Sequence, residues 1–133
     1  MELKTLEEIK DRIIQIKFNE EFEFIVAIAR GGIFPAALLQ QKLGIGLEII
    51  WLNFRDEKQQ PQYDEPRLVK APNFEFKGKK ILLVDDRSRT GSTFRKAKEL
   101  LSGSALIKSL VVNGNADYSL FNETCFIFPW RLI

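Results

Sequence analysis

The chain has no histidine, one cysteine and one methionine among its 133 residues. The absence of histidine excludes Ser-His-Asp and Cys-His nucleophilic sites, and it removes the ligand on which most common zinc sites depend. The single cysteine, Cys125, excludes an intrachain disulfide and fits a reducing compartment. We therefore expect a cytoplasmic protein that uses neither histidine-based catalysis nor a common zinc site.

The sequence also lacks a strong charge excess and a long apolar run. Its net charge of +2 is too small to indicate a nucleic-acid partner, and it has no arginine-rich stripe. No apolar run is long enough to cross a bilayer, and the N-terminal MELKTLEEIKDRI is amphipathic and acidic rather than an apolar signal segment. We expect one soluble domain over residues 1–133, without nucleic-acid or membrane partners.

What the sequence does contain is an alternation of helical periodicity and short apolar runs. Thr5 and Glu8 form a capping-box pattern before a helix, and FIVAIA has the length of a strand buried on both faces. This alternation predicts an α/β fold with a mainly parallel, twisted sheet flanked by helices. The predicted elements are a helix over 6–17, a strand over 24–29, a helix with Pro35 in its first turn and Gly44 as its stop, strands over 47–52 and 80–84, a helix over 90–101, and strands over 106–112 and 124–128.

Residues 54–76 interrupt this alternation. They have no sustained periodicity, and they contain Pro61, Pro66 and Pro72 among many charged residues. A connection of this length is unusual inside a small domain, and it is more often a lid or an extended hairpin than an inert loop.

Two predicted strands end in turns rich in charged and small residues. After FIVAIA come Arg30, Gly31 and Gly32, where paired glycines let backbone amides approach an anion and the arginine adds a charged fork. After ILLV come Asp85 and Asp86. Because ligands bind at the carboxyl ends of strands in open α/β sheets, both turns are candidate ligand sites.

The second turn combines two kinds of ligand contact. Its Thr-Gly-Ser-Thr segment offers amides and hydroxyls at a predicted helix N-terminus, which suits a phosphate monoester. Asp85 and Asp86 would repel that phosphate if they faced it, so they are better placed to bind vicinal sugar hydroxyls and to hold magnesium through water. A turn that binds an anion, beside a carboxylate pair that binds two vicinal hydroxyls, fits a ribose 5-phosphate. The residues of this anion-binding turn, or cradle, are Thr90, Gly91, Ser92 and Thr93.

Other interpretations of this stretch stay open from the residues alone. An aspartate pair after a strand can cap the next helix, and Thr-Gly-Ser-Thr can be an ordinary loop. A receiver-type acidic pocket also begins with a strand and paired acids, but it does not need a hydroxyl- and glycine-rich cradle. A doubly wound module in which Asp85 and Asp86 hold only a metal is a further alternative. The GxxxxGK[ST] and GxGxxG signatures are absent.

Residues 81–93, ILLVDDRSRTGST, resemble the motif with which type I phosphoribosyltransferases bind 5-phosphoribosyl 1-pyrophosphate (PRPP). That motif is a hydrophobic strand, two acids, three variable residues and Thr-Gly-x-Thr. The upstream AIARGG is similar to the pyrophosphate loop of the family, and the terminal FPWRL is similar to the ending of small bacterial xanthine-guanine and hypoxanthine members. The resemblance runs from about residue 22 to 131 and implies a single phosphoribosyltransferase-like domain, with 54–76 as its lid.

The resemblance implies an activity and a role for each turn. The activity is magnesium-dependent transfer of ribose 5-phosphate from PRPP to a nitrogenous base, most often a purine, with release of pyrophosphate. Asp85 and Asp86 would bind the ribose 2′ and 3′ hydroxyls with Mg²⁺ nearby, and 90–93 would bind the 5′-phosphate. The lid would exclude water from an oxocarbenium-like carbon. Family members are commonly dimers or tetramers, so we also expect a homo-oligomer.

The first turn has its own implied role. By the same resemblance, Ala29, Arg30 and Gly31 would bind pyrophosphate, and the peptide bond between Ala29 and Arg30 is predicted to be cis.

The acceptor half of the family pattern is altered in this sequence. Purine members carry an aspartate before Thr-Gly that acts on a ring nitrogen of the base, whereas this chain has Arg89, which stays protonated and cannot be a general base. Arg89 either clamps pyrophosphate or an acidic acceptor, or is simply solvated. A catalytically reduced domain that binds PRPP or a nucleotide is therefore the rival hypothesis.

The base-recognition residues also differ. Where purine members place a lysine that contacts an exocyclic oxygen, this chain reads VVNGNAD, with Asn113 and Asn115. Asn115 and Phe126 are the candidate base-pocket residues. The alternatives are an asparagine that bonds within its own turn and an aromatic ring that packs in the core.

Overall fold

The strands of the chain form one sheet, and most of them run parallel. The computed structural model describes residues 1–53, 67–70 and 72–132. Its elements are α1 (Leu6–Gln15), β1 (Phe24–Ala29), α2 (Ile33–Leu43), β2 (Gly46–Asn53), β3 (Arg67–Lys70), β4 (Lys80–Ser88), α3 (Ser92–Leu100), β5 (Leu106–Gly114) and β6 (Tyr118–Phe121). They form one six-stranded sheet in the order β3-β2-β1-β4-β5-β6. All neighbouring strands pair in parallel except β2 and β3, so the prediction of a mainly parallel sheet is confirmed.

Both faces of the sheet are covered, which explains why the central strands are continuously apolar. Successive side chains of a strand point to opposite faces. Ile25 and Ala27 of β1 therefore join the core beneath α1 and α2, whereas Val26 and Ile28 join the core beneath α3. The two helices after β1 and β4 thus lie on opposite faces of the sheet.

The helix ends are fixed by the residues that the sequence pattern singled out. Thr5 and Glu8 form the predicted capping box at the start of α1, and Gly44 ends α2 in the left-handed conformation. Lys42 binds the C-terminus of α1 by donating hydrogen bonds to the carbonyls of Ile13 and Ile14 at 2.8 and 3.1 Å. These contacts hold α1 against α2. Within the described ranges, no helix combines the length and apolarity that a bilayer span requires.

Two predicted elements are wrong in extent or identity. The strand predicted over 80–84 continues to Ser88, because β5 pairs with β4 as far as Ser88 and Gly114. The strand predicted over 124–128 does not form, and only Ile127 makes a single bridge, with Leu3. The edge position beside β5 is taken instead by β6, whose sequence YSLF is too short and too mixed to stand out.

The predicted lid or hairpin lies largely outside the described residues. Residues 54–66 and 71 are among those that the structure does not describe. Residues 67–70 form β3, which pairs antiparallel with β2, as in the hairpin alternative.

The order of the strands creates a crevice between β1 and β4. The chain leaves β1 toward β2 on one side and leaves β4 toward β5 on the other, with α2 and α3 on opposite faces. A crevice of this kind, at the carboxyl ends of two adjacent strands, is where open α/β sheets bind ligands.

Candidate active site

A cavity of about 610 Å³ opens at the carboxyl ends of β1, β2 and β4. Its polar lining comes from the two turns that the sequence singled out, and its apolar lining includes residues of α2 and the C-terminal segment. The lining residues are Ile28, Ala29, Arg30, Gly31, Phe34, Trp51, Leu52, Asp85, Asp86, Arg87, Ser88, Arg89, Thr90, Gly91, Ser92, Thr93, Phe128, Trp130 and Arg131.

The turn after β1 is pressed against the end of β4. The peptide bond between Ala29 and Arg30 is cis, as predicted. A Cβ on Gly31 would collide with the carboxylate of Asp86, and a Cβ on Gly32 would collide with the carbonyl oxygen of Val84. Glycine at these two positions therefore lets the backbone of the turn lie directly beside the acidic end of β4.

Asp85 and Asp86 are adjacent on β4, and both line the cavity. The backbone N–H of Asp86 donates a hydrogen bond to Oδ1 of Asp85 at 2.8 Å. Burial, together with the charge of Asp86, raises the pKa of Asp85 well above its ordinary value. Burial also raises the pKa of Asp86. A poorly solvated acid pair of this kind favours ligands that bring hydroxyl donors or positive charge.

The turn after β4 forms the N-terminus of α3. Gly91 precedes the helix with φ +80°, a conformation that favours glycine. Thr90 Oγ1 accepts from the Ser92 amide at 3.3 Å, and Arg95 Nη1 donates to the carbonyl of Thr90 at 3.0 Å. The first amides of a helix have no partner inside the helix, so this turn directs N–H groups and hydroxyls into the cavity.

Aromatic rings and arginines line the remainder of the cavity. The ring of Trp130 lies nearly parallel to those of Phe34 and Phe128, with centroids 5.7 and 5.1 Å away. The guanidinium carbon of Arg87 lies 5.3 Å from the centroid of the Phe128 ring. Arg131 also lines the cavity. Flat aromatic surfaces beside convergent polar groups are typical of sites that bind planar ligands.

The structure brings most of the predicted site residues together. Ala29, Arg30 and Gly31, the aspartate pair, Arg89 and the four residues 90–93 all line the one cavity. Arg89 is exposed at its edge, which agrees equally with a ligand contact and with simple solvation.

The two candidate base-pocket residues do not line this cavity. Phe126 is only 2% exposed, and it packs edge-on against Phe121 and Phe128 in the core, as in the packing alternative. Asn115 lines a separate shallow groove, and its Oδ1 accepts a hydrogen bond from Asn122.

Asn113 is also occupied structurally. Its Oδ1 accepts from the amide of Glu123 at 3.0 Å, and its Nδ2 donates to the carbonyl of Thr124 at 3.3 Å. Only 4% of Asn113 is exposed. It therefore holds the segment after β6 and does not contact the cavity.

Comparison with known proteins agrees with this geometry. Residues 2–126 match the family model described as "Phosphoribosyl transferase domain". The chain is 38% identical over 117 residues to a xanthine-guanine phosphoribosyltransferase of Gluconobacter oxydans, covering 82% of this chain and 68% of that protein. This chain belongs to the phosphoribosyltransferase family.

Two solved structures share the fold of this phosphoribosyltransferase over nearly its whole length. A purine phosphoribosyltransferase from Pyrococcus horikoshii superposes with a TM-score of 0.83 at 26% identity, covering 99% of this chain and 94% of that one. A Neisseria gonorrhoeae protein described as hypothetical and "with bound ppGpp" superposes with a TM-score of 0.78 at 22% identity, covering 99% and 90%. The second likeness shows the fold alone.

The predicted site residues of this phosphoribosyltransferase do not include nine of the residues that line the cavity: Ile28, Phe34, Trp51, Leu52, Arg87, Ser88, Phe128, Trp130 and Arg131. Arg87 is one of the three variable positions of the PRPP-binding motif, so the resemblance implies no role for it. The extension of β4 to Ser88 makes Arg87 part of the cavity wall. The FPW sequence is a usable signal for Phe128 and Trp130, since it resembles the ending of purine members.

Proposed function

We propose that this phosphoribosyltransferase transfers ribose 5-phosphate from PRPP to a nitrogenous base, a purine, and releases pyrophosphate. The observation that carries the proposal is the single cavity in which the aspartate pair, the Arg30 turn and the N-terminus of α3 meet. These three parts match the diol, the pyrophosphate and the 5′-phosphate of PRPP. The purine acceptor is supported by the xanthine-guanine and purine enzymes to which the chain is similar.

The ribose and its 5′-phosphate would be held by β4 and α3. Asp85 and Asp86 would accept hydrogen bonds from the 2′ and 3′ hydroxyls, which relieves the cost of their burial. The amides and hydroxyls of 90–93 would bind the 5′-phosphate, assisted by the positive end of the α3 dipole. These contacts fix the sugar with its anomeric carbon toward the aromatic part of the cavity.

Pyrophosphate would bind at the turn after β1. Arg30 and the amides of this turn supply positive charge and hydrogen-bond donors where negative charge develops as the bond to C1 breaks. Gly31 keeps this turn against Asp86, so the leaving group and the ribose are held in fixed relative positions.

A magnesium ion fits the donor set of the site. Within the described residues, no group of three or more acidic, cysteine or histidine side chains is placed to hold a metal ion. Mg²⁺ commonly keeps several waters and takes one or two carboxylates together with substrate phosphates. Asp85 and Asp86 would hold it through water, and when bound it would neutralise charge on the pyrophosphate oxygens.

The test is pyrophosphate release from PRPP and Mg²⁺, measured with and without each of hypoxanthine, guanine, xanthine, adenine, uracil and orotate. Base-dependent release is expected with at least one purine. A double variant, Asp85→Asn with Asp86→Asn, is expected to bind PRPP weakly, whereas Lys10→Gln on the exposed side of α1 serves as a matched control. Release that does not depend on any base would contradict the proposal.

A second candidate function is a PRPP- or nucleotide-binding domain that reports its ligand to a partner. It is favoured by Arg89, which stands where purine members carry an aspartate. If no base supports turnover while PRPP or a guanine nucleotide still raises the melting temperature, this second function replaces the first.

We also propose that the protein is a homo-oligomer. Several large apolar side chains outside the cavity are exposed in the isolated chain, including Leu3 (53%), Leu6 (45%) and Ile14 (70%). Exposed apolar surface of this kind often marks a contact between subunits. Light scattering at two protein concentrations measures the mass, and a monomer at both would contradict this proposal.

A further inference from the structure

The charges along the cavity wall are unbalanced. Among the lining residues that the structure describes, four are arginines and only two are acidic. The two acids are Asp85 and Asp86, which the proposed function assigns to the ribose. The part of the wall formed by Arg87, Ser88, Phe128, Trp130 and Arg131, which we call the acceptor wall, contains no carboxylate.

Arg87 is incompletely paired. Its Nη2 donates to the carbonyl of Phe126 at a long 3.4 Å, and its guanidinium lies over the Phe128 ring. Its Nε is buried and has no hydrogen-bond partner among the residues that the structure describes. Within that part of the chain it also forms no ion pair. The buried Nε is out of reach of a ligand, so an acceptor in the cavity would pair with the weakly held Nη end of the guanidinium, which has only one long hydrogen bond to the described residues.

We propose that Arg87 is a specificity-determining residue that selects acceptor bases entering the site as anions. This inference rests on the proposed transferase function and deepens it. The acidic oxopurine xanthine belongs to this class, since it loses a ring proton more readily than hypoxanthine or guanine. The guanidinium of Arg87 would pair with the negative charge on the edge of the base, beside the stacked rings of Phe128 and Trp130.

The chemistry of transfer balances with an anionic base. The lone pair of a ring nitrogen forms the bond to C1 while the C1–O bond breaks, and the electron pair of that bond leaves with pyrophosphate. The proton that the base loses on bonding to C1 passes to solvent or to the departing pyrophosphate, since the acceptor wall has no carboxylate to take it. The negative charge of an anionic base lies elsewhere, on the six-membered ring or on its carboxylate. It therefore remains in the product, where Arg87 would pair with it.

Product binding tests this inference independently of turnover. Titration calorimetry would compare xanthosine, inosine, guanosine and orotidine monophosphates on the native protein, on Arg87→Gln and on Arg87→Lys. The bases of the xanthine and orotate nucleotides carry negative charge near neutral pH. We expect the native protein to prefer them, Arg87→Gln to lose about 10- to 100-fold of that preference, and Arg87→Lys to retain most of it.

Three readouts separate charge selection from other effects. The melting temperature of unliganded Arg87→Gln verifies that the variant folds, and its rise with PRPP verifies that the variant still binds PRPP. Lys10→Gln, which removes a positive charge from α1, should leave the nucleotide preference unchanged. A preference for the orotate nucleotide over the xanthine one would still support selection of an anion.

Two results would overturn the inference. One is equal affinity of the native protein for the xanthine, inosine and guanosine nucleotides. The other is a loss of affinity in Arg87→Gln that is equally large for all of these nucleotides. Absence of pyrophosphate release with every base would reject the proposed transferase, but the nucleotide preference would still report on Arg87.

Discussion

The two parts of the cavity are built in different ways. The part assigned to PRPP consists of two turns, each continuous in sequence, in which backbone atoms, glycines and buried acids lie in close contact. The acceptor wall is assembled from side chains of β4 and the C-terminal segment. A site made of contiguous backbone tolerates little change, whereas a site made of separate side chains can be altered one residue at a time. The acids, glycines and hydroxyl residues of the first part follow the family pattern, whereas Arg89 stands where purine members carry an aspartate.

The largest expected effect is on the stability of the turn beside β4. In Gly32→Ala, the new Cβ would collide with the backbone carbonyl of Val84 and lie 2.8 Å from that of Ile28. Because neither backbone can move freely inside the core, we expect a loss of about 2–4 kcal/mol in the free energy of unfolding, measured with urea. Gly46→Ala is the matched control, since its Cβ would lie 3.6 Å from the Cβ of Phe24. Equal losses in the two variants would contradict the close packing of this turn.

A smaller change should affect binding more than folding. In Gly31→Ala, the new methyl group collides with the carboxylate of Asp86, a side chain, and not with backbone. Displacement of this carboxylate should weaken PRPP binding about 10- to 100-fold, because it removes one or two hydrogen bonds to a charged group. Calorimetric titration with PRPP and Mg²⁺ measures the loss. Unchanged affinity would show that Asp86 does not contact the ribose.

The acid pair should lower the stability of the unliganded protein while it favours the binding of PRPP. A carboxyl whose pKa is higher in the folded chain holds more protons when folded, in the pH interval between its unfolded and folded pKa values. Because burial raises the pKa of Asp85 above the ordinary 3.8, the free energy of unfolding of the unliganded protein should fall as the pH rises from about that value through the raised pKa.

The variant Asp85→Asn tests this opposition. It keeps an oxygen that can accept from the amide of Asp86 but cannot ionise. Without ligand, we expect it to melt a few degrees higher than the native protein at neutral pH and to lose part of the decline with pH. With PRPP it should bind more weakly. A lower melting temperature at neutral pH would contradict the cost assigned to this buried charge.

The smallest effects should distinguish cavity residues from neighbours outside it. Trp130→Leu removes a ring from the cavity, so the KM for the base should rise about tenfold while the KM for PRPP changes little. Asn115→Ala lies in a separate groove, and it should leave both KM values within about twofold. Steady-state kinetics with both substrates varied would measure the four values. A larger effect of Asn115→Ala than of Trp130→Leu would restore the original base-pocket interpretation.

The difference between the two parts also explains what the sequence could predict. Residues 29–31 and 85–93 act through local geometry, namely glycines at close approaches and amides at a helix start, so their positions in the chain define their positions in space. The same holds for the strand 24–29 and for the helix stop at Gly44, where periodicity and a left-handed glycine sufficed.

The acceptor wall and the edge of the sheet could not be predicted in this way. Phe126, Phe128 and Trp130 are close in sequence, yet Phe126 is buried in the core and the other two line the cavity. The segment that carries these rings begins at 123–124, where the side chain of Asn113 holds the backbone by two hydrogen bonds. That contact links residues ten or more positions apart, and no local pattern marks it.

The most direct test is identification of the product formed from PRPP, Mg²⁺ and xanthine by mass spectrometry. We expect xanthosine monophosphate and pyrophosphate in equal amounts, both absent when Asp85 and Asp86 are replaced by asparagine. Ribose 5-phosphate without nucleotide, or unchanged PRPP with every base, would contradict the claim that the two parts of the cavity act together in phosphoribosyl transfer.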